Sequence, residues 1–66
     1  MRLIVNGEEY IHNGKGSLVS LLDELGADGE RVATMVNGEI IGKKERRNVT
    51  LNEGGRVEVL TYAGGG

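Results

Sequence analysis

Ser17-Leu18-Val19-Ser20-Leu21-Leu22-Asp23-Glu24-Leu25-Gly26 decides the fold, because it is the one sustained helical pattern in a chain otherwise made of short alternating runs. Leu18, Leu21, Leu22 and Leu25 recur at i, i+3, i+4 and i+7, which places them on one side of a helix. Ser17 is positioned as the N-cap, and Gly26 suits the left-handed residue that follows a last turn. The spacing predicts one amphipathic helix of about two to three turns. A helix this short is unstable alone in water, so its leucines must lie against a sheet.

The flanking segments supply that sheet. Arg2-Leu3-Ile4-Val5 is aliphatic and runs into Asn6-Gly7, a pair that tolerates positive φ at both positions as a type I′ hairpin requires; Glu9-Tyr10-Ile11-His12 reads as the return strand. After the helix, Val32-Ala33-Thr34-Met35-Val36 ends in a second such pair, Asn37-Gly38, with Glu39-Ile40-Ile41 returning. Lys43-Lys44-Glu45-Arg46-Arg47 reads as a polar helical turn with a solvated basic face, where Lys43 or Arg47 could steer an acidic partner; it leads into Val49-Thr50-Leu51. Asn52-Glu53-Gly54-Gly55 is a tight turn before a closing strand, Arg56 to Tyr62. The fold class is therefore α+β, with a mixed four- to five-stranded sheet and one main helix on one face. This is the β-grasp (ubiquitin-like) arrangement, in which the first and last strands lie parallel at the centre and the helix forms a right-handed crossover. Residues 1–62 form the domain, and 63–66 form a flexible glycine tail.

Composition narrows the chemistry. Sixty-six residues make one domain with a thin core, and with no cysteine neither disulfides nor thiolate metal sites can reinforce it. No side chain can act as a thiol nucleophile. His12 is the sole histidine, which argues against a zinc site or a histidine-based triad and reads as a solvated or satisfied side chain. The carboxylates Glu8, Glu9, Asp23, Glu24 and Asp28 are scattered, with no catalytic dyad among them. A net charge of −2 does not suit nucleic acid. The longest apolar runs are a few residues, so neither a membrane span nor a signal peptide is expected, and the expected setting is the cytoplasm.

Strand alternation assigns two faces. Leu3, Val5, Val32, Thr34, Val36, Val57 and Val59 should face the helix. Ile4, Ala33, Met35, Leu60 and Tyr62 then lie on the opposite face, which nothing else in the chain can cover. A small domain leaves some aliphatic surface exposed in any case, but a patch on the strand that leads to the tail also suits docking to a larger protein, with Ile4, Met35, Leu60 and Tyr62 as its members.

The chain closes on Gly64-Gly65-Gly66. Taken as residues alone, these fit either a frayed end or a thin tether that presents the α-carboxylate of Gly66 to a channel too narrow for side chains.

Together these segments resemble the ThiS family of sulfur-carrier proteins, small ubiquitin-like domains of thiamine biosynthesis. Arg2-Leu3-Ile4-Val5-Asn6-Gly7 is similar to the family's opening strand and turn, and Ser17 to Leu25 to its leucine-rich helix. Val36-Asn37-Gly38-Glu39-Ile40-Ile41 resembles its central strand pair, Arg56-Val57-Glu58-Val59 its closing strand, and Tyr62-Ala63-Gly64-Gly65-Gly66 its tail. Two departures stand out: Gly54-Gly55 where Gly-Asp is frequent, expected to loosen the turn, and Ala63 where Val is common.

The resemblance implies a carrier that is a co-substrate of partner enzymes and no enzyme itself, with no bound cofactor and no catalytic or metal-ligating residue. A ThiF-type adenylyltransferase, related to the ubiquitin-activating enzymes, would use ATP to convert the Gly66 carboxylate to an acyl-adenylate. Sulfur from a source such as a cysteine desulfurase would then give a thiocarboxylate. A ThiG-type thiazole synthase would take that sulfur into the thiazole of thiamine. Gly64 and Gly65 would form the tether, and the free carrier would be a monomer. Three alternatives fit the same residues less closely. One is the small subunit of molybdopterin synthase, whose chains are usually longer. The others are a ubiquitin-like modifier joined through Gly66 to lysines, and an interaction domain with incidental glycines.

Overall fold

The computed structural model describes residues 1–62. Five strands, β1 (Arg2–Val5), β2 (Glu8–Ile11), β3 (Val32–Val36), β4 (Glu39–Ile41) and β5 (Arg56–Thr61), form one sheet in the order β2-β1-β5-β3-β4. Helix α1 (Leu18–Glu24) crosses one face, and a 3-10 helix spans Lys43–Asn48. β1 and β5 are parallel at the centre, with Ile4 opposite Arg56 and Val5 opposite Val57; the remaining pairs are antiparallel.

Both Asn-Gly turns have the predicted positive φ, 51° and 82° at Asn6-Gly7 and 50° and 86° at Asn37-Gly38. Their asparagines do more than turn the chain. The Asn6 side chain accepts from Val59 N–H (2.8 Å) and donates to Val59 C=O (3.2 Å), so it continues the β1–β5 ladder after β1 has turned away. Asn37 accepts from Arg56 N–H through Oδ1 (2.9 Å) and donates its backbone N–H to Arg56 C=O (2.8 Å). The central strand is thus gripped from both neighbours, at its first residue by Asn37 and at its middle by Asn6.

Leu3, Leu18, Leu21, Leu22, Leu51 and Val57 form the buried core, with Val5, Val36, Val59 and Leu25 packed around it. Val32 and Thr34 are buried on the same side of the sheet. Each large aliphatic side chain taken from water contributes roughly 1.5–3 kcal/mol, so loss of one is a sizeable fraction of a small domain's stability. Helix α1 starts with a capping box built from two serines: Ser20 N–H donates to Ser17 Oγ (3.0 Å), and Ser17 N–H to Ser20 Oγ (3.2 Å). At seven residues the helix takes the short end of the expected length. Leu51 reaches the core because Leu51 N–H donates to Gly16 C=O and Leu18 N–H to Val49 C=O, which ties its segment to the start of α1.

Two expectations are corrected. Arg46 does not belong to a solvated basic face: it is buried, donating to Gly29 C=O (2.8 Å) and Val32 C=O (2.7 Å). The Gly54-Gly55 turn is not loose, since Gly55 N–H closes it onto Asn52 C=O (2.8 Å) and Gly54 N–H donates to Arg2 C=O (2.7 Å). A Cβ at Gly55 would stand 2.9 Å from the Asn52 carbonyl oxygen, so the second glycine permits this tight closure.

Candidate functional site

Strand register places Ile4, Ala33, Met35 and Leu60 on the face opposite α1, with Ala33 directly across from Leu60 and Met35 across from Glu58. Leu60 is 55% exposed, and Tyr62, one residue past β5, is 60% exposed. The register extends the patch beyond the sequence reading. Ile40 pairs with Met35 and is 76% exposed, and Ile11 pairs with Arg2 at the other edge. The signal for Ile40 was present: counting back one residue from Val36 and forward one from Glu39 across an Asn-Gly turn sets Met35 against Ile40. At the middle of this apolar surface sits Glu58, whose Oε2 is buried and has no hydrogen-bond partner among the described residues.

Next to the patch, the chain leaves the sheet at a fixed point. Tyr62 N–H donates to Arg31 C=O (2.9 Å), one step beyond the Val32–Thr61 pair that ends the β3–β5 ladder. The loop carrying Arg31 is itself held in place. Arg31 N–H donates to Asp28 C=O (2.9 Å), Glu30 N–H to Asp28 Oδ1 (2.9 Å), and Arg46 grips the carbonyls on either side, at Gly29 and Val32. The hydrogen bond at Tyr62, where the described residues end, therefore rests on a loop held by a buried guanidinium.

A second polar cluster lies between β2 and α1. His12 is 1% exposed; its Nδ1 is 2.8 Å from Glu24 Oε1 and its Nε2 3.1 Å from Ser20 Oγ. Serine, histidine and carboxylate in this order look like a nucleophilic triad. The hydrogen bonds say otherwise. Gly16 N–H donates to Nε2 (3.1 Å), filling the lone pair a general base needs, and Ser20 Oγ donates to Ser17 C=O (2.8 Å) while capping the helix. That assignment leaves Nδ1–H to donate to Glu24. Tyr10 O–H also donates to Glu24 (2.8 Å), and Asn13 N–H donates to its other oxygen (3.0 Å). Hydrogen bonds from His12 and then Tyr10 hold the Glu24 carboxyl below its ordinary range, outweighing its partial desolvation, and Asn13 adds to them. The same contact pushes the Tyr10 phenol up. This is a clasp between strand and helix, and the lone histidine is a satisfied one. Among the described residues no group of three histidine, cysteine, aspartate or glutamate side chains is arranged to hold a metal, and no helix is long and apolar enough to cross a membrane.

The profile of the ThiS family matches residues 2–66. The chain belongs to that family. A crystal structure of a thiamine biosynthesis protein (ThiS) from Geobacter metallireducens superposes with a TM-score of 0.83 at 33% identity, each chain covered over 100% of its length. A thiazole synthase from Paramagnetospirillum magneticum is 38% identical over 66 residues, and this chain spans only 20% of its length. An uncharacterized protein, ycf40, from Porphyra purpurea is 31% identical over 62 residues, 94% of this chain and 87% of that one. The five-stranded sheet with one helix is the ubiquitin-like β-grasp fold of ThiS proteins.

Within that ThiS frame, the structure places Ile4, Met35 and Leu60 together on one face and Tyr62 at its rim. Gly64, Gly65 and Gly66, the tail of the sequence reading, lie outside the described residues.

Proposed function

We propose that this protein is a sulfur carrier of thiamine biosynthesis, with Gly66 as the residue that bears the sulfur. The observation that supports this reading is the family match from residue 2 to residue 66, which takes in all three glycines together with the folded body. A carboxylate is a poor electrophile until one oxygen becomes a leaving group. In a ThiF-type adenylyltransferase the Gly66 carboxylate would attack the α-phosphorus of ATP, releasing pyrophosphate and forming an acyl-adenylate. The terminal sulfur of a desulfurase-derived persulfide would add to the acyl carbon and expel AMP, giving an acyl disulfide; a thiol would then cleave its S–S bond, leaving the thiocarboxylate and carrying away the other sulfur as a mixed disulfide. A thiazole synthase would then receive that sulfur. The covalent joining of a domain like this one to the rest of a thiazole synthase in the Paramagnetospirillum relative favours such a partner, because linkage raises the effective concentration of two proteins that must meet.

In this reading the chain is a cytoplasmic co-substrate with no catalytic residue of its own. Gly64 and Gly65 let the tether enter a narrow active site, and the open face carrying Ile4, Met35, Leu60 and Tyr62 docks the body on each enzyme in turn. The test is intact mass after incubation with a ThiF-type adenylyltransferase, ATP and a sulfur source. Replacement of one oxygen by sulfur, located on Gly66 by fragmentation, is the expected result; an unchanged mass under conditions that load another ThiS protein contradicts the proposal.

A further inference from the structure

The open face is apolar around Ile4, Ala33, Met35, Ile40 and Leu60, yet its centre is an acid. Glu58 sits on the central strand, directly across from Met35, and its Oε2 is shut off from water without a donor among the described residues. Arg56, two residues earlier on the same face, forms no ion pair within 4.0 Å among the described residues; the one ion pair on this face joins Arg2 to Glu9 (3.0 Å) at the β1–β2 side. The clasp at His12 shows that this chain can satisfy a carboxylate fully, with three donors on Glu24. A half-buried carboxylate with one oxygen unmatched, set among half-buried and exposed apolar side chains, is complementary to a donor that comes from outside.

We infer that the open face receives a protein surface that is apolar with an arginine or lysine head group at its centre, and that Glu58 takes this cation. The occupant is a thiazole synthase, to which a domain of this type is joined in one polypeptide in the Paramagnetospirillum relative. The inference rests on the open face being the docking surface, and it adds the charge that selects the partner: the apolar rim excludes water while the pair at the centre sets register and rejects acidic surfaces.

The experiment is calorimetric titration of a stand-alone thiazole synthase with the parent, Glu58→Gln and Met35→Glu, with the melting temperature of each carrier measured alongside. Glu58→Gln is expected to melt at or above the parent temperature, to bind about tenfold or more weakly, and to lose much of the salt dependence of the parent's affinity. If Glu58→Gln binds like the parent while Met35→Glu does not bind, the role of Glu58 is overturned and the docking face stands. If Met35→Glu also binds like the parent, both fall. A parent that does not bind the synthase overturns this choice of occupant, as does self-association of the parent that Met35→Glu abolishes. A markedly lower melting temperature for Glu58→Gln shows that the carboxylate is already satisfied within the fold, and removes the premise.

Discussion

The two sides of the sheet handle polar groups in opposite ways. Under the helix, His12 is buried in a cluster where Glu24, Ser20 and Gly16 meet both of its ring nitrogens. On the open face Ile11, Ile40 and Leu60 are exposed and Ile4, Ala33 and Met35 half-buried, and the acid among them, Glu58, has a dry oxygen without a donor among the described residues. The saturated side holds the domain together; the unsaturated side is the one proposed to dock a partner. As a lone histidine His12 reads as a solvated or satisfied side chain, and its hydrogen bonds make it the satisfied one.

Variants on each side should break this contrast if it is wrong. The largest effect on stability is expected from His12→Ala, which opens a cavity and strips the partner from Glu24 and from Gly16 N–H; a loss of roughly 3 kcal/mol by denaturant titration is expected. A small domain with that loss will be substantially unfolded at moderate temperature. Leu60→Glu is the counterpart on the open face. It should change stability by less than about 0.5 kcal/mol, as exposed substitutions do, and yet abolish binding to the adenylyltransferase. If Leu60→Glu unfolds the chain, or binds as well as the parent, the division of labour is wrong.

Gly14→Ala sharpens the comparison within the clasp. A Cβ there would lie 2.5 Å from His12 Cε1 and 3.0 Å from Nε2, and a fully buried ring has nowhere to move. A loss of about 1–3 kcal/mol is expected, whereas the exposed Gly42, where a Cβ would meet nothing within 4 Å, should accept alanine with little change. The smallest effect is a pH dependence. Glu24 titrates lower in the folded protein than its ordinary value of 4.5, so its contribution is present above that value and is lost as pH falls through the depressed one. Tyr10 titrates above its ordinary 10.0, so its contribution is present below 10.0 and is lost as pH rises through the raised value. Stability curves of Glu24→Gln should lack the acid-side loss, and those of Tyr10→Phe the alkaline one. Unchanged limbs in both would remove the clasp from the electrostatics of folding.

Much of the fold was legible because its signals are local. The leucine spacing from Leu18 to Leu25 and the two Asn-Gly pairs depend only on neighbours in the chain, and β1 and β3 begin and end where the sequence placed them. Period-two alternation assigned the two faces correctly, which put Ile4, Met35 and Leu60 together before any coordinates. The failures came from contacts distant in sequence. Arg46 reads as one cation in a basic run, and only the return of Gly29 and Val32 alongside it shows why it is buried. The asparagines of the turns announce positive φ but not their hold on Val59 and Arg56, which lie 53 and 19 residues away. The His12 cluster was invisible for the same reason: its members are spread from Tyr10 to Glu24, and nothing in their spacing marks them as neighbours.

The account depends on the working group being at the glycine tail while the folded body only delivers it. The most direct measurement is growth on thiamine-free medium of a host that lacks its own carrier, supplied with this chain ending at Gly64 and, in parallel, with the complete sequence. Growth with the complete sequence and none with the shortened one, at equal soluble protein levels and equal melting temperatures, is the predicted result. Equal growth with both would contradict the assignment of sulfur transfer to Gly66.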